Sequence, residues 1–169
     1  TLTFASTSLT SATSADFTTS ADACATGGAC YVGNTGPGGG TVFYAASGTF
    51  TSTGSDCNTS CKYLETTATN EQAVWSTAAT ACYNSGSTSS NNNCETNSVY
   101  PGTSAEQAAS RTASNAIGMG MANTNQIYSR LTTVGGSATS SYAAGIAWAY
   151  SNNGKTDWYM PSKDELHAM

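Results

Sequence analysis

Asp157-Trp158-Tyr159-Met160-Pro161-Ser162-Lys163-Asp164-Glu165-Leu166 is the stretch on which the fold reading turns. Four residues, Asp157 to Met160, are aromatic-rich and suit a short strand. Pro161 stops that strand. Ser162 followed three residues later by Glu165 spells a capping box, so a helix starts near Lys163. A short strand and a capped helix within ten residues are in keeping with a mixed α+β fold.

Upstream of it, Ser140 to Tyr150 carries Tyr142, Ala143, Ile146, Ala147 and Tyr150 at helical spacing. Ala143, Ala144 and Gly145 are small enough to let this helix pack closely on a sheet. Asn152-Asn153-Gly154 ends it. Before it, Ala116-Ile117-Gly118-Met119-Gly120-Met121-Ala122-Asn123-Thr124 leads into a helix over Asn125–Leu131, with Ile127, Tyr128 and Leu131 on one side and Gly135-Gly136 as the stop. Residues 84–104 are rich in Asn, Ser and Gly and read as a long loop. Thr69–Tyr83, with Val74, Ala78, Ala81 and Cys82, suits a short helix.

At the other end of the domain, Gly36-Pro37-Gly38-Gly39-Gly40 enters a strand over Thr41–Ala46. The glycines precede the strand, and no Lys-Ser/Thr follows them, so the run is neither a dinucleotide fingerprint nor a phosphate loop. A second strand covers Lys62–Thr67. Residues 1–20 set Leu2 and Phe4, then Ala15 and Phe17, in alternation with Thr, Ser and Asp. That period of two, without Pro or Gly, marks either a linker or an extended strand, whose backbone would need a partner. Leu2, Phe4, Leu9 and Phe17 are its candidate interface residues.

Composition sets the setting. Of 169 residues, nearly a third are Ser or Thr, and only 9% are charged. Net charge is −5, and the five cations, Lys62, Arg111, Arg130, Lys155 and Lys163, are scattered. No basic stripe meets phosphates, so nucleic acid is excluded as a partner. No apolar run is long enough for membrane insertion. The sequence starts at Thr1 with no apolar leader, as expected of a secreted protein whose signal has been removed, or of an excised domain.

The six cysteines form three close pairs: Cys24 and Cys30, Cys57 and Cys61, Cys82 and Cys94. An even count in a Lys-poor, hydroxyl-rich chain argues for disulfides in an oxidising compartment. Sequence admits many connectivities; local pairing is the simplest and would clip three loops, each contributing about 2–3 kcal/mol. Cys57-x3-Cys61 has zinc-knuckle spacing, but no second knuckle accompanies it. We expect no metal and no cofactor.

Candidate chemistry is thin. His167, the single histidine, sits three residues from the last and reads as solvated. Asp164 and Glu165 read as acids favoured by the helix dipole, not as an acid–base pair. No calcium loop of the Asp-x-Asp-x-Asp-Gly type exists. The chain is therefore not expected to be an enzyme. Trp75, Trp148 and Trp158 could form a sugar-stacking platform. Trp158 suits the core, whereas Trp148 lies off the apolar side of its helix and is the candidate ligand or partner contact.

Four segments taken together, Gly36–Tyr44, Cys61–Glu65, Ala116–Thr124 and Asp157–Leu166, resemble the Lcl C-terminal domain family of bacterial secreted and surface proteins, which includes a collagen-like adhesin. The resemblance covers roughly residues 30–166. It implies a C-type-lectin-like fold: a small antiparallel sheet, two to three short helices and long disulfide-clipped loops. The domain then spans 30–169, and residues 1–29 form the N-terminal arm. Family members continue past the last helix into further strands, and the lectin sugar triplets Glu-Pro-Asn and Gln-Pro-Asp are absent here. The expectation is a secreted or cell-surface structural subunit of an extracellular filament. It would assemble as a homopolymer with other copies of itself, the arm adding a strand to a neighbour's sheet. The alternative is an adhesin module whose partners are glycans or a host surface.

Overall fold

The computed structural model describes residues 23–69, 72–74, 114–134 and 138–169. The fold is α+β: a two-stranded antiparallel sheet, three short helices and two disulfides. Strand β1 is Thr41–Phe50 and β2 is Cys61–Thr66. Their register pairs Thr41 with Thr66 and Val42 with Glu65, then Ala45 with Tyr63 and Phe50 with Cys61. The four residues Ala46–Thr49 of β1 thus stand opposite Lys62 alone, so β1 bulges there. Sequence placed the end of β1 at Ala46; Phe50 returns to the ladder because its ring packs edge-on against Tyr44.

β1 has two differently covered edges. Val42 donates to the Asn34 carbonyl at 2.9 Å and accepts from Gly33 N–H at 2.8 Å. The N–H and C=O of one strand residue point to the same side, so residues 33–34 cover the edge of β1 opposite β2. Three residues earlier this segment emerges from the Cys24–Cys30 clip, whose Cys24 is fully buried.

Helix α1 is Gly120–Tyr128, continued by a π-helical turn over Ser129–Val134. Helix α2 is Ala143–Ala149, entered through a 3-10 turn at Thr139–Ser141. Helix α3 is Lys163–Ala168, with Ser162 and Glu165 forming the expected capping box. The apolar core joins Ile127, Leu131, Tyr142 and Ala144, with Tyr128 and Met160 packed against it. Val42, Phe43, Cys61, Leu64 and Met121 are buried as well.

Several expectations are corrected. α1 starts at Gly120, not Asn125, because the Glu165 carboxylate, 45 residues away, accepts from Gly118 and Gly120 N–H and caps it from outside. α2 packs against α1 rather than on the sheet, with Ala144 and Gly145 at the buried side. A Cβ at Gly145 would collide with the Thr139 carbonyl, so only glycine fits there. Asp157–Met160 is extended but is not a strand. Met160 N–H donates to the buried Thr124 hydroxyl at 2.9 Å, a side-chain partner in place of a ladder. Residues 72–74 are not helical and Val74 is exposed, so no helix starts at Thr69; residues 75–83 lie outside the described set. Asn153 and Gly154 both take positive φ in a tight turn closed by Asn152 and Lys155, the Asn-Gly geometry of a two-residue hairpin turn.

Candidate functional site

The described surface holds a cleft of about 290 Å³. Lys62, Tyr63, Leu64 and Glu65 of β2 all line it. Successive side chains of a strand alternate between faces, so a hollow on one face would touch every second residue only. Four in a row bring the cleft to the outer edge of β2, and Phe43 of β1 and Gly38, which line it too, carry it back across the sheet. The opposite wall is the extended segment Lys155–Pro161, and the Cys57–Cys61 clip closes one end. By alternation from the Val42 pairing, the N–H and C=O of Tyr63 and Glu65 point away from β1. Outside the β1–β2 ladder, no backbone hydrogen bond among the described residues reaches β2.

Polar contacts tie the walls together. Asp157 Oδ2 accepts from Asp56 N–H at 3.0 Å, and Lys155 Nζ pairs with Asp56 Oδ2 at 3.1 Å. The hydrogen bond to Asp56 holds the Lys155 ammonium above its ordinary pKa, with the Asp56 charge adding to it. That pair is largely exposed and contributes little stability. Burial raises the Tyr63 phenol, and the nearby Glu65 charge adds to the shift. Burial likewise pushes Tyr159 far up, reinforced by Glu165. Ser52 Oγ sits beside the Tyr159 hydroxyl without completing a hydrogen bond of good geometry. Ser52 Oγ and Trp158 Nε1 are buried, border the cleft and lack partners among the described residues.

At its far end the cleft meets the glycine run. Glu65 Oε1 and Oε2 accept from Gly38 and Gly40 N–H, each at 3.1 Å. The run does present backbone N–H groups to an anion, and that anion is the chain's own carboxylate. A Cβ at Gly36 would overlap the Glu65 carboxyl group, which explains glycine there. Trp158 backs the same run and packs edge-on against Tyr150. Its other side borders a smaller hollow of about 190 Å³ formed with Ala143, Ile146 and Tyr150.

Of the residues singled out by sequence, Cys24–Cys30 and Cys57–Cys61 are bonded as local pairs. Cys82, Cys94, Trp75 and the arm residues Leu2, Phe4, Leu9 and Phe17 lie outside the described residues. Trp148 is 41% exposed and stacks face to face on Tyr128 at 4.0 Å, away from the cleft. His167 is exposed at the end of α3. Glu165 is the first-turn acid the sequence indicates and is, in addition, fully buried. Sequence reasoning missed Tyr63, Glu65, Asp56 and Lys155 as a group; the one available signal was an acid in β2 opposite a glycine run.

Among the described residues, no cluster of three or more His, Cys, Asp or Glu side chains could hold a metal ion, and no helix is long and apolar enough to cross a membrane. The two disulfides, with no free cysteine among the described residues, are compatible with an oxidising, extracellular setting. No protein-family model, curated protein or solved structure matches this chain.

Proposed function

We propose that this chain is a secreted structural subunit of an extracellular filament, assembling by adding its N-terminal arm as a strand to a neighbour's sheet. The observation that carries this reading is the sheet's asymmetry. On the β1 side, residues 33–34 cover the edge. The β2 side keeps an edge without a backbone partner among the described residues, facing a cleft. Two strands alone make a marginal sheet, and an open edge templates further pairing. Donor arm and acceptor edge are different segments and give a head-to-tail contact, which builds an open fibre rather than a closed dimer. The low charge and hydroxyl-rich surface suit close subunit packing, and the resemblance to the Lcl C-terminal family supports a secreted, surface-associated setting. Negative-stain microscopy of the purified oxidised protein over a concentration series tests this. Filaments that lengthen with concentration are expected; a monomer at every concentration refutes it.

A second reading, a glycan- or receptor-binding adhesin module with a lectin-like fold, is favoured by the exposed Trp148 stacked on Tyr128. Rigid, half-exposed rings of this kind serve as stacking surfaces. Glycan-array binding that is lost in Trp148→Ala would support it; an array without hits would remove it.

A further inference from the structure

The cleft along β2 has more chemistry than a bare strand edge requires. Its walls bring together the rings of Phe43, Tyr63, Trp158 and Tyr159. Aromatic walls favour an aromatic occupant, because ring pairs in offset or edge-on geometry contribute beyond the area they bury. Trp158 Nε1 is buried with no partner among the described residues and is a donor for an incoming carbonyl. The backbone groups of Tyr63 and Glu65 point into the same space. A strand lying along β2 would satisfy both at once: its backbone meets β2 and the indole, and every second side chain drops between the rings.

We propose that this cleft seats Phe4 of a second copy of the chain, with the Thr1–Ser6 stretch laid along β2 as the added strand. The inference rests on the filament reading above and names its acceptor site. Three observations select the occupant. First, the arm's only aromatic side chains are Phe4 and Phe17. Second, the cleft already carries Asp56, Glu65 and Asp157 against Lys62 and Lys155. Phe17 would bring Asp16 beside those acids, whereas Phe4 is flanked by uncharged Thr3 and Ala5. Leu2 shares a face with Phe4 in an extended strand and follows it along the groove. Third, the eighteen residues from Ala5 to Asp22 join Phe4 to the first described residue, Ala23. Extended, they span roughly 60 Å, enough to leave one subunit and reach the β2 side of the next.

The test uses the full oxidised chain with Phe4→p-benzoylphenylalanine, prepared in light and nitrogen-15 forms, mixed, allowed to assemble and irradiated. Mass spectrometry of the cross-linked peptides reads both the site and the partner. Light–heavy cross-links to 61–66 or 155–161 are the expected result. Cross-links at those residues within one chain only would overturn the second copy as occupant, and the filament reading with it. Cross-links elsewhere, in a preparation that still forms filaments, would overturn the cleft assignment and leave the filament reading standing. A titration supplies the independent measurement. Phe4→Ala should raise the protein concentration needed for assembly by about ten-fold or more, as loss of a central aromatic anchor does. Phe17→Ala should leave it within about two-fold, a margin far below an anchor loss. An equal response to both substitutions would refute Phe4 as the anchor.

Discussion

Glu165→Ala is the most informative single substitution. Glu165 is fully buried between α3 and the turn that begins α1. Its carboxylate accepts from Gly118 N–H at 2.7 Å and from Ser162 N–H at 2.6 Å, with Gly120 N–H and the Tyr159 hydroxyl at 3.5 Å. Truncation to alanine strands the two close backbone donors in a buried site. A hydrogen bond to a charged acceptor contributes roughly 1.5–3 kcal/mol, and the stranded donors keep their desolvation cost. The expected loss is about 4 kcal/mol, or a fall in Tm of about 10 °C for a chain of this size. Glu165→Gln keeps the shape but turns one oxygen into an N–H group facing an N–H; about 2 kcal/mol is expected. Asp164→Ala, one residue earlier and exposed, should cost less than about 0.5 kcal/mol. Urea unfolding under oxidising conditions, followed by circular dichroism, measures all three. If Glu165→Ala and Asp164→Ala prove equal, Glu165 does not cap α1 and the reasoning fails.

Gly118 has φ +89° and a Cβ there would collide with the Thr51 carbonyl, so Gly118→Ala should cost about 3 kcal/mol or more. Gly27 has the same φ but open space around it, so Gly27→Ala should cost only about 1 kcal/mol; thermal melts separate the two. Tyr159 has a folded-state pKa raised above its unfolded value, so its contribution is complete below about pH 10 and is lost as pH climbs beyond it. The protein should therefore lose stability above about pH 10, and Tyr159→Phe should make that loss shallower in urea titrations at stepped pH. Removing either described disulfide, as Cys24→Ser with Cys30→Ser or Cys57→Ser with Cys61→Ser, should lower stability by about 2 kcal/mol, read by the same unfolding assay.

Local signals in the sequence carried far. The cysteine spacings placed both described clips, the glycine run ahead of Thr41 and the Lys62–Thr67 segment after the Cys57–Cys61 clip placed both strands, and Ser162 with Glu165 placed the start of α3. What failed was non-local. α1 begins five residues earlier than expected because its cap comes from Glu165, and no window around Gly120 contains that information. Asp157–Met160 has the composition of a strand, yet composition cannot say whether a backbone partner will be present. The glycine run reads as no phosphate loop, since Lys is missing. Its actual occupant, Glu65, lies 25 residues downstream of Gly40 and becomes visible only when β2 pairs with β1. The cleft was invisible for the same reason: its walls come from β2, the Cys57 clip and the segment after Asn153, which meet only in three dimensions.

The two glutamates seated on glycine N–H groups have a kinetic consequence. Each closes a long span of chain, 27 residues from Gly38 to Glu65 and 47 from Gly118 to Glu165. Contacts between residues this far apart come after local turns and disulfide clips, because the intervening loop must be ordered first. Seating Glu165 is then among the last events of folding, formed after the main barrier has been crossed. Replacing it should hasten unfolding several-fold while leaving the refolding rate nearly unchanged, a split that stopped-flow measurements resolve. A folding chain would thus hold its β1–β2 hairpin before its second half is locked, leaving the edge of β2 open during that interval.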